Sequence, residues 1–373
     1  MRERVLCMRF DARADSCQCP GRFFPSVPVI PMSNPQPALT FEEIRALVRN
    51  LPGPDLGAGT AAVQRERELT KPPGALGRLE EIAEWLATWQ GQHPPEVRRP
   101  RVAVFAGNHG VAARGVSAFP ASVTAQMVAN FQNGGAAVNQ LCDSVDADLR
   151  VYELDLDNPT RDFTTGPAMD EEECCRAMAY GMMAVEMGVQ LLALGEMGIA
   201  NSTAAAAIAC ALFGGEPEQW VGRGTGVDDE GFRRKVAAVQ AGLEANPQAR
   251  TDPFEALRCL GGFELAAITG AVLAARMGRV PVLLDGYACT VAAAVLFKAD
   301  RRALDHCMVA HRSVEPGHTR LLEAIGKAPL LDLGMRLGEG SGAALAIALC
   351  KAAAACHAGM ATFAEASVSG KTG

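Results

Sequence analysis

Short apolar runs alternate with longer, often alanine-rich stretches along most of the chain. Six runs stand out: Arg101-Val-Ala-Val-Phe-Ala-Gly, Leu149-Arg-Val-Tyr-Glu-Leu-Asp, Gln190-Leu-Leu-Ala-Leu-Gly-Glu, Gln219-Trp-Val-Gly-Arg-Gly, Val280-Pro-Val-Leu-Leu-Asp-Gly and Cys307-Met-Val-Ala-His. Each has strand length and ends in Gly, Asp, Glu or His, and Leu330 to Leu333 is a weaker run of the same kind. Most are followed by a segment of helical length. Strands alternating with helices predict right-handed βαβ units, and so an α/β fold whose mostly parallel sheet has helices on both faces. Ahead of the first run, residues 40–92 read as helical, with Leu76, Leu79, Ile82, Trp85, Leu86 and Trp89 at helical spacing and a capping-box pair in Thr40 and Glu43.

The first 31 residues break this pattern. Both charge signs are mixed with no apolar core of signal-peptide length, and Pro25, Pro28 and Pro31 predict an extended connector. Met32 follows directly, so residues 1–31 read as an unfolded, disordered N-terminal extension and Met32 as a real or alternative start.

Composition narrows the classes of function. Thirty-five basic against 42 acidic residues leave a net charge of −7. That balance lacks the broad basic face of a nucleic-acid binder. The most apolar stretches, 204–213 and 288–297, fall short of the roughly 20 residues that cross a bilayer, and Lys351 interrupts the C-terminal alanine-rich run, so no membrane association is expected. Cys142, Cys210, Cys259, Cys289, Cys307, Cys350 and Cys356 lie in apolar surroundings as small hydrophobes, which suits a reducing cytoplasm. The pairs Cys17/Cys19 and Cys174/Cys175 have no second pair at zinc-site spacing, and no metal is expected.

In a parallel sheet ligands bind beyond the carboxyl ends of the strands, so chemistry is sought in the loops there. Three of those loops, 195–203, 222–226 and 338–342, are glycine-rich turns able to offer backbone N–H groups to an anion. Gly198, Gly224 and Gly226 belong to them, and Lys235 and Ser313 would add a charge and a hydroxyl. Glu196 and Glu339 sit beside glycines where a carboxylate has no structural task, and partial burial would raise either to a useful general base. Phe119, Met127, Met197 and Leu337 flank the same loops as lining for a flat ring or as core. His311 and His318 read as loop-fixing, His109 as a base or a structural histidine, and Asp228-Asp229-Glu230 as partners of a helix dipole.

Taken together, the motifs resemble those of the nicotinate-nucleotide:dimethylbenzimidazole phosphoribosyltransferase family. The resemblance is carried by Leu69-Thr-Lys-Pro-Pro-Gly-Ala-Leu-Gly-Arg-Leu-Glu, His109-Gly-Val, Gly115-Val-Ser-Ala-Phe-Pro, Val123-Thr-Ala-Gln-Met-Val, Gly134-Gly-Ala-Ala, Gly195-Glu-Met-Gly-Ile-Ala-Asn-Ser-Thr, Gly224-Thr-Gly-Val-Asp-Asp, Ser313-Val-Glu-Pro-Gly-His and Arg336-Leu-Gly-Glu-Gly-Ser-Gly-Ala. It extends from about residue 40 to about residue 365 and leaves 1–31 outside; Phe119 stands where the family often has Tyr.

The resemblance implies a Rossmann-like large domain (99–340) and a small helical domain assembled from both chain ends (32–98 and 341–373). It also implies a homodimer and the conversion of nicotinate mononucleotide and 5,6-dimethylbenzimidazole to α-ribazole 5′-phosphate and nicotinate, without a cofactor. Glu339 matches the general base; Glu196, Gly198, Lys235, Asp285 and Ser313 fall near the substrates; Ser117 and Gln126 lie on the segment associated with the benzimidazole. Two rival readings remain at this point: a dinucleotide-dependent oxidoreductase, disfavoured because no Gly-x-Gly-x-x-Gly follows the first strand, and a non-catalytic nucleotide or benzimidazole binding protein on the same fold.

Overall fold

The computed structural model describes residues 26–32 and 39–370. Seven strands, β1 (Val29–Pro31), β2 (Pro100–Ala106), β3 (Asp148–Glu153), β4 (Leu191–Met197), β5 (Val282–Leu284), β6 (Cys307–His311) and β7 (Pro329–Leu331), form one sheet in the order β1-β3-β2-β4-β5-β6-β7. Every pairing is parallel. The α-helices are α1 (Phe41–Arg49), α2 (Leu56–Glu68), α3 (Arg78–Gln90), α4 (Ser122–Gln132), α5 (Ala137–Ser144), α6 (Glu171–Met182), α7 (Asn201–Phe213), α8 (Asp229–Ala245), α9 (Pro253–Leu260), α10 (Phe263–Met277), α11 (Tyr287–Ala299), α12 (Pro316–Ile325) and α13 (Ser341–Gly359).

Strand alternation sorts the core into two layers. On β2, Ala103 and Phe105 face one layer while Val102, Val104 and Ala106 face the other. The first layer holds side chains of α1, α6, α7, α9, α10 and α11, and the second holds those of α3, α4, α5 and α13. A sheet covered on both faces needs apolar residues at every strand position, and β2 is buried throughout. The predicted α/β fold and five of the six strand runs are therefore present, and the weaker run at Leu330 is part of β7.

The remaining run, Gln219 to Gly224, forms no strand. Trp220 and Val221 both donate their backbone N–H to the Pro217 carbonyl in a tight turn, and the Trp220 indole donates to the Gly214 carbonyl at 2.8 Å. Trp220 is apolar filling between helices, with Phe213 beside its ring and the Arg320 guanidinium over it.

A second departure concerns residues 29–31, which lie inside the fold rather than beyond it. They pair with Val151 to Glu153 at the sheet edge, with Val27 and Val29 packed into one core layer and Ile30 and Met32 into the other. An edge position tolerates the proline-rich sequence because only one side of the strand must pair. The rest of the expected extension, residues 1–25, lies outside the described residues.

Helices from the N-terminal part of the described residues meet the last helix. α3 packs on α13, and Arg65 on α2 donates to the carbonyls of His357, Ala358 and Met360. α13 also contacts β2, β4, β5, β6 and β7. At 19 residues it is long and apolar enough by length and composition to cross a bilayer, yet it packs between the sheet and α3 as a core helix does.

Candidate active site

The strand order reverses beside β2: the chain runs outward to β3 on one side and to β4 on the other. Such a reversal opens a crevice at the carboxyl ends. A cavity of about 320 Å³ lies there, walled by loops that follow β2, β4, β5, β6 and β7 and by the 223–227 turn. Ser117, Phe119, Met127, Glu196, Met197, Gly198, Gly224, Lys235, Ser313, Leu337 and Glu339 all line it.

Glu339 stands on an unusual turn. Gly338, Glu339 and Gly340 have φ of +80°, +62° and +76°, three left-handed residues in succession, and only two of them are glycines. A side chain in that region costs about 1–3 kcal/mol and persists where surrounding contacts over-determine it. Here the Glu339 N–H donates to the Glu196 carbonyl at 3.1 Å, and the Ser341 hydroxyl donates to the Gly338 carbonyl at 2.7 Å. Glu339 is 7% exposed. Burial, and next the charge of Asp285, push its carboxyl up to about 7.

Glu196, near the carboxyl end of β4, accepts from the Asn201 amide. Burial, followed by Asp285 and Glu264, raises it well above the usual carboxylate range. Both acids thus take up protons more readily than a solvated glutamate. The turn bearing Glu339 also lies directly on Gly195, where an added Cβ would stand 2.4 Å from the Gly340 nitrogen and 2.8 Å from the Glu339 carbonyl carbon. Those are backbone atoms that cannot swing aside. Gly195→Ala is expected to displace the turn and lower turnover by about 10-fold or more, since misplacement by 1 Å can cost about 10²; turnover within about twofold of wild type in a steady-state assay would show that the turn tolerates the shift.

Elsewhere on the wall the chemistry is cationic. Lys235 on α8 is 1% exposed and donates to Ser202 Oγ at 3.0 Å, with Gly224 alongside. Burial pulls its ammonium below the ordinary lysine value, against the pull of Glu315. A buried ammonium flanked by a hydroxyl and a glycine turn is equipped for an anion. Phe119, Val123, Met127, Met197 and Leu337 supply apolar lining, and Phe119 and Leu337 are about half exposed.

Three of the expected site residues lie elsewhere. Gln126 is on the solvent side of α4, one position from the lining Met127, and Gly226 is in the 223–227 turn but off the wall. Asp285 is fully buried behind the wall, where it accepts from the Gly340 and Ala343 N–H groups. His318 fixes its loop as expected: its Nδ1 accepts from the Ser313 N–H at 2.9 Å, and burial pulls it down to about 3, so the ring is neutral. His311 instead lines the cavity. His109 pairs with Glu264 at 2.7 Å in the interior. Asp228 caps α8, while Asp229 and Glu230 pair with Arg223 and Arg234.

Ser202, Arg223, Glu315 and Arg336, which carry no single-residue signal of a site in the sequence, also reach the cavity. Glu315 accepts from the Gly224 N–H at 2.9 Å across 91 residues. Its place two residues after Ser313, just before Pro316 opens α12, was the available signal.

A parallel α/β sheet with an anion-equipped cavity at its switch point and a proton-accepting carboxyl on the wall defines a nucleotide-handling enzyme. A phosphoribosyltransferase family model matches residues 51–368. The nicotinate-nucleotide–dimethylbenzimidazole phosphoribosyltransferase of Sinorhizobium medicae is 59% identical over 89% of this chain and 98% of its own length, and the Brucella canis protein of the same name matches to the same extent. The crystal structure of CobT from Thermus thermophilus superposes with a TM-score of 0.79 at 44% identity, covering 84% of this chain and all of that one. The chain belongs to the nicotinate-nucleotide–dimethylbenzimidazole phosphoribosyltransferase family.

Proposed function

We propose that this protein transfers the phosphoribosyl group of nicotinate mononucleotide to 5,6-dimethylbenzimidazole, giving α-ribazole 5′-phosphate and nicotinate for the nucleotide loop of cobalamin. The observation that carries the mechanism is Glu339, a buried carboxyl raised to about 7 on the wall of a cavity that also holds a buried lysine. Glu339 accepts the N–H proton of the benzimidazole while the other ring nitrogen attacks ribose C1′. The C1′–N bond to nicotinate breaks, its electron pair stays on the nicotinate nitrogen, and attack from the opposite face inverts C1′ to the α configuration. Lys235, Ser202, Ser313 and the Gly224 turn hold the phosphate; Glu196 and Gly198 lie along the ribose; Phe119, Met197 and Leu337 with Ser117 border the flat base. Acceleration then comes from positioning and from one well-tuned base.

The same reading places the protein in the cytoplasm as a homodimer. The exposed Phe119 and Leu337 on the cavity wall favour a partner subunit covering the mouth. Incubation of the purified protein with nicotinate mononucleotide and 5,6-dimethylbenzimidazole, followed by chromatography, is expected to yield α-ribazole phosphate and nicotinate in equal amounts. Both ligands binding without product would leave a binding protein on the same fold and sink the activity.

A further inference from the structure

We infer that Asp285 is the positioning residue for the turn that carries Glu339, and that it acts on the reaction through that turn rather than by touching a substrate. The inference rests on Glu339 being the base. Asp285 follows β5, is fully buried, and is absent from the cavity wall. Its Oδ2 accepts from the Gly340 N–H at 3.1 Å and its Oδ1 from the Ala343 N–H at 2.9 Å. These amides open α13, where the first turn of a helix has no carbonyls of its own to receive them. A helix ordinarily takes its cap from the residue before it. That residue is Gly340, which has no side chain, so the cap arrives from the loop after β5, 55 residues away in sequence.

The consequence is a rigid mount. Three left-handed residues in a row are held on one side by the Glu196 carbonyl and on the other by the Asp285 carboxyl, with Gly195 beneath. Asp285 bridges the carboxyl end of the interior strand β5 and the start of α13, which fixes the base relative to the sheet. The titratable groups around this mount are Glu196 on β4, Glu264 on α10 and His311 on β6, whose Nε2 lies 3.5 Å from Asp285 Oδ1. Of these, Asp285 is the neighbour whose charge bears on Glu339.

Asp285→Asn tests this. The expected result is a fall in kcat of about 10- to 100-fold with the KM for nicotinate mononucleotide changed by less than about threefold, as a loss of positioning predicts. The acid limb of the rate profile moves to lower pH, because the amide carries no charge to hold the Glu339 proton. In the Glu339→Gln background the same substitution adds less than about threefold, since residues acting through one group are not additive. A rise in KM with kcat retained would make Asp285 a substrate contact; an unmoved acid limb, or losses that multiply in the double variant, would overturn the inference. If Glu339→Gln alone keeps wild-type turnover, the base assignment has failed, and that outcome is separate from any result at Asp285. Should Asp285→Asn not fold, hydrogen exchange on the wild-type enzyme decides: the Gly340 and Ala343 amides exchange as slowly as strand amides, and exchange at open-loop rates would remove the mount.

Discussion

Glu339→Gln is expected to lower turnover at saturating substrates by about 10²-fold or more, the usual scale for a general base, and at the same time to make the protein more stable at pH 8. Both effects come from the same burial. Glutamine keeps the size and both hydrogen-bonding ends but takes no proton from the benzimidazole. In the wild-type protein the carboxyl, at 4.5 when unfolded, stands at about 7 in the fold. A carboxyl raised in this way favours the folded state fully below about pH 4.5 and loses that contribution as pH rises through 7. Above pH 7 the ionised, buried group costs up to about 3 kcal/mol relative to a group that cannot ionise. The Tm difference between variant and wild type should therefore be small at pH 5 and largest at pH 8, and kcat/KM of the wild-type enzyme should fall below about pH 7. Glutamine keeps φ positive, so relief of backbone strain does not contribute. A Tm gain that is the same at both pH values would mean that the ionised carboxyl is not the source.

The features legible in the sequence are those whose signal is local. The apolar run of β2 and its neighbours, the Thr40–Glu43 capping box, which forms with both of its hydrogen bonds, and the glycine-flanked Glu196 and Glu339 could all be read within a few residues. The features that a local pattern does not give have in common that their cause is distant. Trp220 and Val221 are as apolar as a strand, but a short apolar run does not say whether sheet or helices bury it, and here Phe213 and Arg320 do. β1 hides among prolines because its only obligation is to one neighbour, β3. Gln126 shares a motif with Met127, yet one residue along a helix is a rotation of about 100°, and Met127 lines the cavity while Gln126 is exposed. Asp285 stood out as an acid at a strand end; that its oxygens accept from the start of α13 is decided by contacts 55 and 58 residues away. Pattern identifies which loops gather, and packing decides which side of each loop meets the cavity.

Lys235→Met carries the second large effect, and it separates binding from folding in the same manner. Methionine fills nearly the same length without the ammonium. Charge-assisted hydrogen bonds are worth about 1.5–3 kcal/mol, so the affinity for nicotinate mononucleotide by titration should fall about 10- to 100-fold, with little change for the benzimidazole alone. The unliganded protein should not suffer accordingly. Burial depresses the Lys235 ammonium relative to its unfolded value of 10.5, and a depressed base destabilises the fold at every pH below its folded value, with the cost relieved only as pH rises through that value toward 10.5. Removing the group at pH 7 removes that cost, against which stands the one hydrogen bond to Ser202. The substrate-free Tm is expected to be equal to or above that of wild type. The increment added by nicotinate mononucleotide, about 2.7 kcal/mol at a concentration 100 times the wild-type Kd, should shrink to about 1.4 kcal/mol or less. An unchanged affinity would place the phosphate away from Lys235. A large drop in the substrate-free Tm would instead make the buried ammonium a structural element of the α7–α8 contact, held by Ser202 for the sake of the fold and not of the ligand.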